Sequence, residues 1–420
     1  MKCRYCSNLL KITFVNLGFS PPSNAYLTRD DLQRSEISYP LEVRVCGECW
    51  LVQTIDYTKA SDLFQCDYAY FSSTSSSWLE HARSFVDDIT NRLNLNKLSY
   101  VIEIASNDGY LLKNFVEKKI PCLGIEPTAS TAAVAEKQGI PVIREFFGER
   151  IGSKLRLGGA LADLLIGNNV LAHVPDINDF VVGVRLVLKP EGVVTFEFPH
   201  FLCLLKGLQF DTIYHEHYSY LSLGSVLRIF KSNGLRVWHI EKLPTHGGSL
   251  RVYGCLEESI RVTSSDVIRM LEVEKDAGLE IANSYGSFQS NAEKVKNGLL
   301  EFLLKEKRNG KKTAAYGAAA KGNTLLNFAG VKPDLLDCVY DAAPSKQWKL
   351  LPGSHVEIRP PAMLKVDRPD NIIILPWNLS EEILYSIEPY LSANATVYVA
   401  VPEMCKIKRN KVIANSKCGF

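Results

Sequence analysis

Short apolar runs and stretches of helical periodicity alternate through the middle of the chain. Apolar runs at 100–105, 121–125, 161–167 and 193–198 are separated by polar turns and by segments whose apolar residues recur at helical spacing. Apolar runs of this length that alternate with helical segments are typical of parallel strands joined by crossover helices. The pattern therefore predicts a doubly wound α/β sheet in the middle of the chain.

The same alternation returns near the end of the chain, where it predicts strands at 312–316, 335–341, 372–375 and 396–401. A turn of small residues, Gly317 to Asn323, precedes a helix there, as at the ligand-binding turn of a second Rossmann-like sheet. Helical periodicity over 264–309 predicts a connector between the two sheets. We therefore expect an α/β protein in four parts: residues 1–70, 71–258, 259–310 and 311–420.

Composition excludes several classes of protein. The chain has 420 residues, more than one hydrophobic core usually supports, and its charged fraction of 22% is that of an ordinary soluble protein. The 48 basic and 46 acidic residues give a net charge of +2, which argues against a nucleic-acid or membrane-surface partner. The sequence has no run of about 18 apolar residues that would predict a membrane span. It also begins without the apolar stretch of a signal peptide, so we expect a cytoplasmic location.

Two Cys-x-x-Cys pairs lie near the start of the chain. Cys3 and Cys6 form the first pair, and Cys46 and Cys49 form the second. Four thiolates spaced in this way suit a tetrahedral structural zinc ion and leave no open position for catalysis. The segment between the pairs is too short to build a core of its own, so a metal ion would stabilise it. A redox pair is the alternative, although neither pair opens a thioredoxin-like unit.

Acidic and small residues accompany the first two predicted strands of the middle sheet. Glu103 and Ala105 lie in the first strand, a turn containing Asn107 and Gly109 follows it, and Glu126 ends the second strand. Gly109 lets the backbone approach a ligand closely, and Glu126 can accept hydrogen bonds from ribose hydroxyls. The turn lacks the glycine pattern of a dinucleotide site, and an acid followed by small residues suits the charged sulfonium and amino acid of S-adenosylmethionine. A Rossmann-like sheet that binds another adenosine ligand is the alternative.

Polar residues also follow the next predicted strand. Asn168 and Asn169 lie at its end, and His173 lies just beyond them. Because the carboxyl ends of parallel strands meet at one edge of a sheet, we expect these residues beside the S-adenosylmethionine turn. A structural histidine is the alternative for His173. His246 precedes two glycines. It either approaches a ligand or adopts the special backbone angles that a turn requires.

The heptapeptide from Tyr214 to Tyr220 combines two imidazoles, a carboxylate and three phenols. A core strand would have to satisfy every one of these polar groups, and a metalloprotease helix would space its histidines four residues apart rather than two. A histidine beside a carboxylate is the usual combination for general acid–base chemistry near neutral pH. The motif therefore predicts the lining of a catalytic cavity, and a polar turn with aromatic packing is the alternative.

Further residues are candidates for contact with a substrate. Tyr68 and Tyr70 lie between the first two predicted domains. Simple packing and contact with a ligand are equally good reasons for an aromatic residue at this place. Lys321 lies in the small-residue turn, and Lys346 and Lys349 lie in a basic loop. Lysines beside a helix N-terminus suit a diphosphate. A purely structural second sheet is the alternative.

Taken together, these motifs resemble the sugar C-3 methyltransferases of deoxysugar biosynthesis. The resemblance spans essentially the whole chain and rests on the two cysteine pairs and on the motifs at 103–109, 169–175, 214–217, 246–250, 317–323 and 376–378. It implies a zinc-binding N-terminal domain, a central Rossmann-like S-adenosylmethionine-dependent methyltransferase domain and a C-terminal Rossmann-like domain that binds a sugar nucleotide. The implied cofactors are S-adenosylmethionine and a structural zinc ion.

The resemblance also implies roles for individual residues. His217 matches the family's catalytic base, with Tyr214 and Glu216 as its companions, Tyr68 matches an early active-site tyrosine, and His173 matches a strand-end histidine. Residues expected to contact the substrate are Tyr70, His215, His246, Lys321, Asn323, Lys346, Lys349 and Asn378.

The implied substrate is a nucleotide-linked 4-keto-6-deoxyhexose, carried on a thymidine or guanosine diphosphate and held between the domains. The C-4 ketone acidifies the proton on C-3, His217 removes it, and the enolate carbon takes a methyl group from S-adenosylmethionine with inversion at C-3. We expect His173 and a phenol to stabilise the enolate oxygen. The alternatives are an O- or N-methyltransferase that acts on a nucleotide sugar and a non-catalytic zinc-knuckle adaptor.

Overall fold

The computed structural model describes residues 1–57 and 72–409. The chain forms two compact units, the first made of Met1–Phe14, Val43–Cys203 and Glu216–Gly286, and the second of Val15–Glu42, Leu204–His215 and Ser287–Phe420. The domain boundaries predicted at residues 70, 258 and 310 stay predictions. In the described ranges, none of the helices combines the length and the apolar character that crossing a bilayer requires.

The strands are numbered in chain order. They are β1 (Ile12–Ser20), β2 (Tyr39–Val45), β3 (Val52–Thr54), β4 (Val101–Ile104), β5 (Cys122–Ile125), β6 (Val142–Ile143), β7 (Ala162–Asn168), β8 (Leu188–Pro199), β9 (Ser219–Tyr220), β10 (Leu235–Leu243), β11 (Ser249–Leu256), β12 (Thr313–Tyr316), β13 (Val339–Tyr340), β14 (Ile358–Arg359), β15 (Asn371–Ile374), β16 (Thr396–Val399) and β17 (Cys405–Ile407).

The α-helices are numbered in the same way. They are α1 (Ser76–Arg92), α2 (Leu112–Glu117), α3 (Ala129–Lys137), α4 (Glu149–Leu157), α5 (Ile177–Val187), α6 (Phe201–Lys206), α7 (Leu223–Ser232), α8 (Ser265–Asp276), α9 (Phe288–Arg308), α10 (Ala320–Ala329), α11 (Leu364–Asp367) and α12 (Ser380–Ile387). Short 3-10 turns that matter for the site lie at Leu171–His173, Phe210–Thr212 and Thr245–Gly247.

A seven-stranded sheet forms the centre of the first unit, in the order β10-β11-β8-β7-β4-β5-β6. The five neighbouring strands β8, β7, β4, β5 and β6 run parallel, and β11 runs antiparallel to both of its neighbours. The order of connection reverses between β4 and β7, and ligands of such sheets bind outside the carboxyl ends of the strands at that position. The predicted doubly wound sheet is confirmed.

Both faces of this sheet are covered by helices, because the strands alternate apolar side chains to either side. Ile102 and Leu165 belong to a buried cluster that includes Ile151 of α4 and Val181 of α5. Val101, Leu164 and Ile166 belong to a second cluster, which includes Phe85 of α1 and Phe115 of α2. Burial of each large apolar side chain contributes on the order of 2 kcal/mol, so this packing fixes the strand ends that carry polar residues.

The second unit contains a six-stranded sheet in the order β14-β13-β12-β15-β16-β17. Its first five strands run parallel and β17 runs antiparallel to β16. The order again reverses next to the first strand of the sheet, between β12 and β15, which is the arrangement of a Rossmann-like fold. Gly317 follows β12 with φ of +94°, and a Cβ there would lie 2.3 Å from Pro376 Cδ. The turn therefore requires glycine, and the predicted second Rossmann-like sheet is confirmed.

A four-stranded sheet has the order β1-β2-β3-β9. Strand β3 is antiparallel to both of its neighbours, and its pairing with β9 places Val52 opposite Tyr220 and Gln53 opposite Ser219. The sequence pattern did not predict this sheet. It matters for the site because β9 is the end of the heptapeptide that begins at Tyr214.

His200 and Glu274 form a buried pair behind the seven-stranded sheet. His200 Nε2 lies 2.6 Å from Glu274 Oε1, and the same carboxylate accepts the amides of Leu223 and Gly224 at 2.6 and 2.9 Å. Burial opposes protonation of the imidazole, but hydrogen bonds to Cys203 and Glu274 and the charge of Glu274 raise the pKa of His200 to about 9. The pair thereby fixes the first turn of α7 to α8.

This pair predicts a loss of stability at alkaline pH. Because the pKa of His200 is higher in the folded chain than its ordinary value of 6.5, the stabilisation is complete below pH 6.5 and is lost as the pH rises through 9. We expect the free energy of unfolding, measured by urea denaturation, to fall between pH 7 and pH 10 in the wild type. In His200→Gln this fall should be smaller by on the order of 2–3 kcal/mol.

His355→Gln is the matched control, because His355 pairs with Glu36 at 2.8 Å but is 40% exposed. An exposed pair contributes at most about 1 kcal/mol, so this variant should keep the pH dependence of the wild type. An identical pH dependence in His200→Gln and the wild type would show that the pair does not contribute.

Candidate active site

The four predicted zinc ligands lie together at the start of the first unit. Their sulfur atoms are all within 4.8 Å of one another, and the Sγ–Sγ distance is 3.5 Å both for Cys3–Cys49 and for Cys6–Cys46. Four thiolates around a tetrahedral zinc ion, with bonds of about 2.3 Å, are separated by roughly 3.8 Å. The residues present therefore fit a structural zinc ion.

The two cysteine knuckles share one backbone geometry. The residue after the second cysteine of each knuckle is left-handed, with φ of 62° at Ser7 and 61° at Trp50. Its amide donates to the carbonyl of the first cysteine, at 2.9 Å for Ser7 to Cys3 and 3.0 Å for Trp50 to Cys46. Both Cys-x-x-Cys segments thus form the same tight turn, as the spacing predicts.

The turn after β4 lies at the carboxyl edge of the seven-stranded sheet, beside the reversal of strand order. Ala105, Asn107 and Gly109 have positive φ angles of 55°, 50° and 79°. A Cβ at Gly109 would lie 2.5 Å from Ile140 Cδ1, so glycine is needed for packing as well as for its φ. Glu126 accepts the Asn107 amide at 3.0 Å and so holds the turn from the end of β5.

Buried acceptors without partners are concentrated at this edge. Glu103 Oε2, Ser106 Oγ, Asp108 Oδ1 and Asn168 Oδ1 make no hydrogen bond within the described part of the chain. Burial raises the pKa of Glu103 well above its ordinary value, and the charges of Asp108 and Glu126 raise it further. Such a crevice fits a ligand that brings N–H and O–H donors and a positive charge, as S-adenosylmethionine does.

The structure brings Asn169 and His246 together at the same edge. Asn169 Nδ2 lies 3.2 Å from His246 Nε2, and since an amide nitrogen only donates, this imidazole nitrogen accepts. Both residues are left-handed, with φ of 53° and 56°. His246 therefore has the special backbone angles of a turn, and its approach to a ligand stays a prediction.

Two predicted catalytic residues, His173 and His217, lie side by side. Their ring centroids are 4.7 Å apart and their planes are inclined by 64°. His217 and Glu216 are buried, and the ring of Tyr220 packs against His217 with centroids 6.1 Å apart. Three residues that the sequence places in one catalytic group are thus close together in the first unit.

The hydrogen bond of His173 fixes its tautomer. Nδ1 lies 2.8 Å from the Glu216 carbonyl oxygen, which only accepts, so Nδ1 carries the hydrogen. Burial lowers the pKa of His173 to about 4 although this hydrogen bond opposes the shift. The ring is therefore neutral at pH 7 and its Nε2 is an acceptor. The expected donation from His173 to an enolate oxygen does not fit this tautomer, which instead suits a residue that orients His217.

Strand β3 holds the backbone of the catalytic motif. Thr54 Oγ1 donates to the His217 carbonyl at 3.0 Å, and the Thr54 amide donates to the Tyr218 carbonyl at 3.1 Å. The neighbouring Gln53 donates from Nε2 to Cys3 Sγ at 3.2 Å. Two adjacent residues therefore connect the cysteine knuckles to the predicted base.

In the second unit, Lys321 and Asn378 meet at the edge of the six-stranded sheet. Lys321 Nζ donates to Asn378 Oδ1 at 2.5 Å and lies 4.8 Å from the centroid of the Trp377 ring. Asp211, which the sequence analysis did not single out, accepts Trp377 Nε1 at 2.8 Å. Burial raises the pKa of Asp211 to about 6, although the charge of Lys321 opposes the shift.

The other predicted substrate residues of this unit surround the small-residue turn after β12. Lys346 Nζ donates to the Ala318 carbonyl at 3.0 Å, and the Lys349 amide donates to the Lys346 carbonyl at 3.2 Å. Asn323 is buried and donates to the Ser23 carbonyl at 2.7 Å. Lys346, predicted in a basic loop, thus contacts the turn, while Asn323 holds the N-terminal segment to α10.

The heptapeptide is divided between the two units, with Tyr214 and His215 in the second and the rest in the first. His215 Nε2 donates to the Pro40 carbonyl at 3.3 Å, and burial lowers the pKa of His215. Tyr214 is half-buried. Tyr68 and Tyr70 lie outside the described residues, so their roles stay predictions.

A buried cluster around Glu197 was missed by the sequence analysis. Glu197 lies in the apolar run of β8, and its side chain has no exposed surface. His81 Nε2 lies 2.8 Å from Glu197 Oε2, Arg251 Nη2 lies 2.7 Å from the same oxygen, and Thr245 Oγ1 donates to Oε1 at 2.9 Å. A lone acid inside an apolar strand is a signal that could have identified this cluster, since buried carboxylates need partners.

Family models match three successive parts of the chain. Residues 3–64 match a zinc-binding domain, residues 78–240 match a methyltransferase domain, and residues 244–402 match a C-methyltransferase C-terminal domain. Together with the sheet order, the acceptor-lined crevice and the four thiols, these matches define an S-adenosylmethionine-dependent methyltransferase with a structural zinc site.

The chain belongs to the family of C-methyltransferases that includes C-methyltransferase NovU of Streptomyces niveus. The two are 33% identical over 402 residues, which is 96% of each chain. Among solved structures, an S-adenosylmethionine-dependent methyltransferase from Clostridium acetobutylicum is 12% identical and covers 42% of this chain and 92% of that chain, with a TM-score of 0.35. A protein from Pyrococcus horikoshii is 14% identical and covers 48% and 100%, with a TM-score of 0.36. The family assignment depends on the relative and the family models.

Removal of one knuckle thiol should release the metal ion. We expect Cys46→Ser to purify with little of the roughly one zinc ion per chain of the wild type, because three thiolates and a hydroxyl bind zinc more weakly than four thiolates. Zinc content by mass spectrometry and the midpoint of thermal unfolding are the measurements. Cys122→Ser, which changes a buried thiol outside the cluster, should keep its zinc. Full zinc occupancy in Cys46→Ser would contradict the assignment.

Proposed function

We propose that this C-methyltransferase methylates C-3 of a nucleotide-linked 4-keto-6-deoxyhexose whose carrier is a thymidine or guanosine diphosphate. The observation that supports this most is the buried imidazole of His217, which lies beside the neutral His173 and next to Glu216. A carbon must lose a proton before it can take a methyl group, and an imidazole is a base suited to a C–H that a neighbouring ketone acidifies.

His217 removes the C-3 proton in this proposal. Its carbonyl is held by Thr54, and its ring packs between those of His173 and Tyr220. These contacts restrict the imidazole to one orientation, which is the condition for efficient proton transfer. Glu216 binds a sugar hydroxyl or stabilises the imidazolium that forms.

Transfer of the C-3 proton to imidazole is thermodynamically unfavourable in water. The enolate oxygen at C-4 therefore needs a hydrogen-bond donor that stabilises its negative charge. His173 is an acceptor at Nε2 in its neutral tautomer. The proposal therefore assigns this donation to a phenol, Tyr214 or Tyr68, and assigns His173 to holding His217.

The acceptor-lined crevice holds the methyl donor. S-adenosylmethionine supplies, when bound, a methyl group on a sulfonium ion. Glu103 and Asp108 supply the negative charge that attracts this cation, and the turn residues Ala105, Asn107 and Gly109, with Glu126, Asn168 and Asn169, shape its binding site. Attack on the methyl group from the ring face opposite the departing proton gives inversion at C-3.

The diphosphate binds at the second unit in this proposal. The N-terminus of α10 offers backbone amides and a positive dipole end, and Lys321 and Lys346 bring ammonium groups to the same turn. Lys349, Asn323, Asn378, His215, His246 and Tyr70 complete the proposed contacts with the nucleotide and the sugar.

Substitution of His217 tests the proposal. We expect His217→Asn to lower methyl transfer by a factor of about 10²–10⁴, and to lower solvent deuterium exchange at C-3 equally, because both need the same base. Binding of S-adenosylmethionine, measured by calorimetry, should stay within about twofold. His239→Asn, in β10, is the matched control and should keep both activities.

The substrate class is tested with the same enzyme. A panel of nucleotide-linked sugars should be methylated when they carry a 4-keto group and not after its reduction to a 4-hydroxyl. Undiminished turnover of His217→Asn would remove His217 from the role of base. Methylation of the 4-hydroxy sugars would instead favour O-methylation.

A further inference from the structure

Trp78, near the start of α1, lies at the centre of an aromatic cluster in the first unit. Its ring centroid is 6.0 Å from that of Tyr110, with planes inclined by 28°, and 5.4 Å from that of His246, at 61°. The His81 imidazole stacks on it at 4.9 Å and 23°. The indole is half-buried, so part of its surface remains accessible to a ligand.

Two of the three rings that Trp78 contacts, those of Tyr110 and His246, belong to opposite sides of the strand-order reversal. Tyr110 directly follows Gly109 in the turn after β4. His246 is bonded to Asn169, which directly follows β7. Because β4 and β7 are neighbours, the indole extends from one side of the ligand crevice to the other.

The Glu197 cluster fixes this indole from behind. The Glu197 carboxylate binds His81, which stacks on Trp78, and Thr245, which precedes His246. The Glu197 carbonyl also accepts the Asn169 amide at 2.7 Å. One buried residue therefore connects the three elements that carry Trp78, Asn169 and His246.

The cluster is a charged one. Arg251 lies opposite Glu197 in the register of β11 and β8 and binds its carboxylate. Burial alone would raise the pKa of Glu197, but the hydrogen bond from His81 and the charge of Arg251 lower it to about 2. Glu197 is thus an anion at pH 7.

We propose that Trp78 binds the sulfonium-bearing end of S-adenosylmethionine through the face of its indole, and that Glu197 is a positioning residue that acts on Trp78 through His81. An aromatic face attracts a cation within about 6 Å, and tryptophan does so most strongly. The acceptors Glu103, Asp108 and Asn168 lie at the same edge of the sheet, where they suit the positive charge of the cofactor. The inference depends on the cofactor and is independent of the role proposed for His217.

Binding measurements on Trp78→Leu test the first part. We expect calorimetry to show a loss of affinity of about tenfold for S-adenosylmethionine, and a clearly smaller loss for S-adenosylhomocysteine, which lacks the positive charge. Trp238→Leu is the matched control, because Trp238 is also half-buried and also contacts a histidine and a tyrosine of the first unit. It should bind both ligands within about twofold of the wild type.

Tryptophan fluorescence supplies a second readout that needs no activity. Of the five tryptophans, Trp78 should account for the change of emission when S-adenosylhomocysteine binds, so Trp78→Phe should remove that change and Trp238→Phe should keep it. Equal losses of affinity for the two ligands in Trp78→Leu would overturn the attraction by charge. Unchanged affinity would overturn the contact itself.

A double-mutant cycle tests the positioning role. We expect His81→Gln, and also Glu197→Gln where it folds, to weaken S-adenosylmethionine about fivefold in the wild type and to have little further effect in Trp78→Leu. Glu241→Gln, which removes a different partner of Arg251, should not change the affinity. Full additivity of His81→Gln with Trp78→Leu would show that the cluster acts independently of the indole and would overturn the proposal.

Discussion

Buried carboxylates need compensating partners, and the first unit is organised by this requirement. Glu197 and Glu103 lie on strands of the same sheet, in β8 and β4, and both are buried. Glu197 has three side-chain partners and a pKa of about 2, whereas Glu103 has an oxygen without a partner among the described residues and a raised pKa. The first carboxylate fixes the protein, and the second leaves a buried acceptor for a ligand.

The second unit uses the same topology for a different chemistry. Its strand order also reverses beside the first strand of the sheet, but the groups collected there are lysines that lie beside carboxylates, with Lys346 Nζ 3.8 Å from Asp341 Oδ2. Lys321 lies against Trp377 and Asn378, and Lys346 lies at the turn after β12. Two Rossmann-like sheets in one chain thus carry different groups at the same topological position, which are paired lysines in one and, among the described residues, unpartnered acceptors in the other.

The sequence predicts most of the architecture, because the parallel strands are short apolar runs and the cysteine spacing has a direct geometric meaning. The sequence also predicts the turn at 106–109, whereas only the resemblance to sugar C-3 methyltransferases places His173 and His217 in one site. Strands β1, β2, β3 and β9 were missed, and the pairing of β3 with β9 joins residues far apart in the chain, which no local pattern reveals. Strand β13 is only Val339–Tyr340, although the apolar run 335–341 predicts more. Glu197 and Asp211 were missed because each is a single acid whose partners come from distant elements, which no local motif reveals.

The link through β3 gives the metal site a role beyond folding of the N-terminal segment. Gln53 contacts a zinc-ligand thiol and Thr54 holds the backbone of His217, the predicted base. The knuckle residues Cys3, Cys46 and Cys49 belong to the same buried cluster as Ile102 of β4 and Leu165 of β7. Loss of the metal ion would therefore loosen the packing against this sheet as well as the backbone that carries the predicted base.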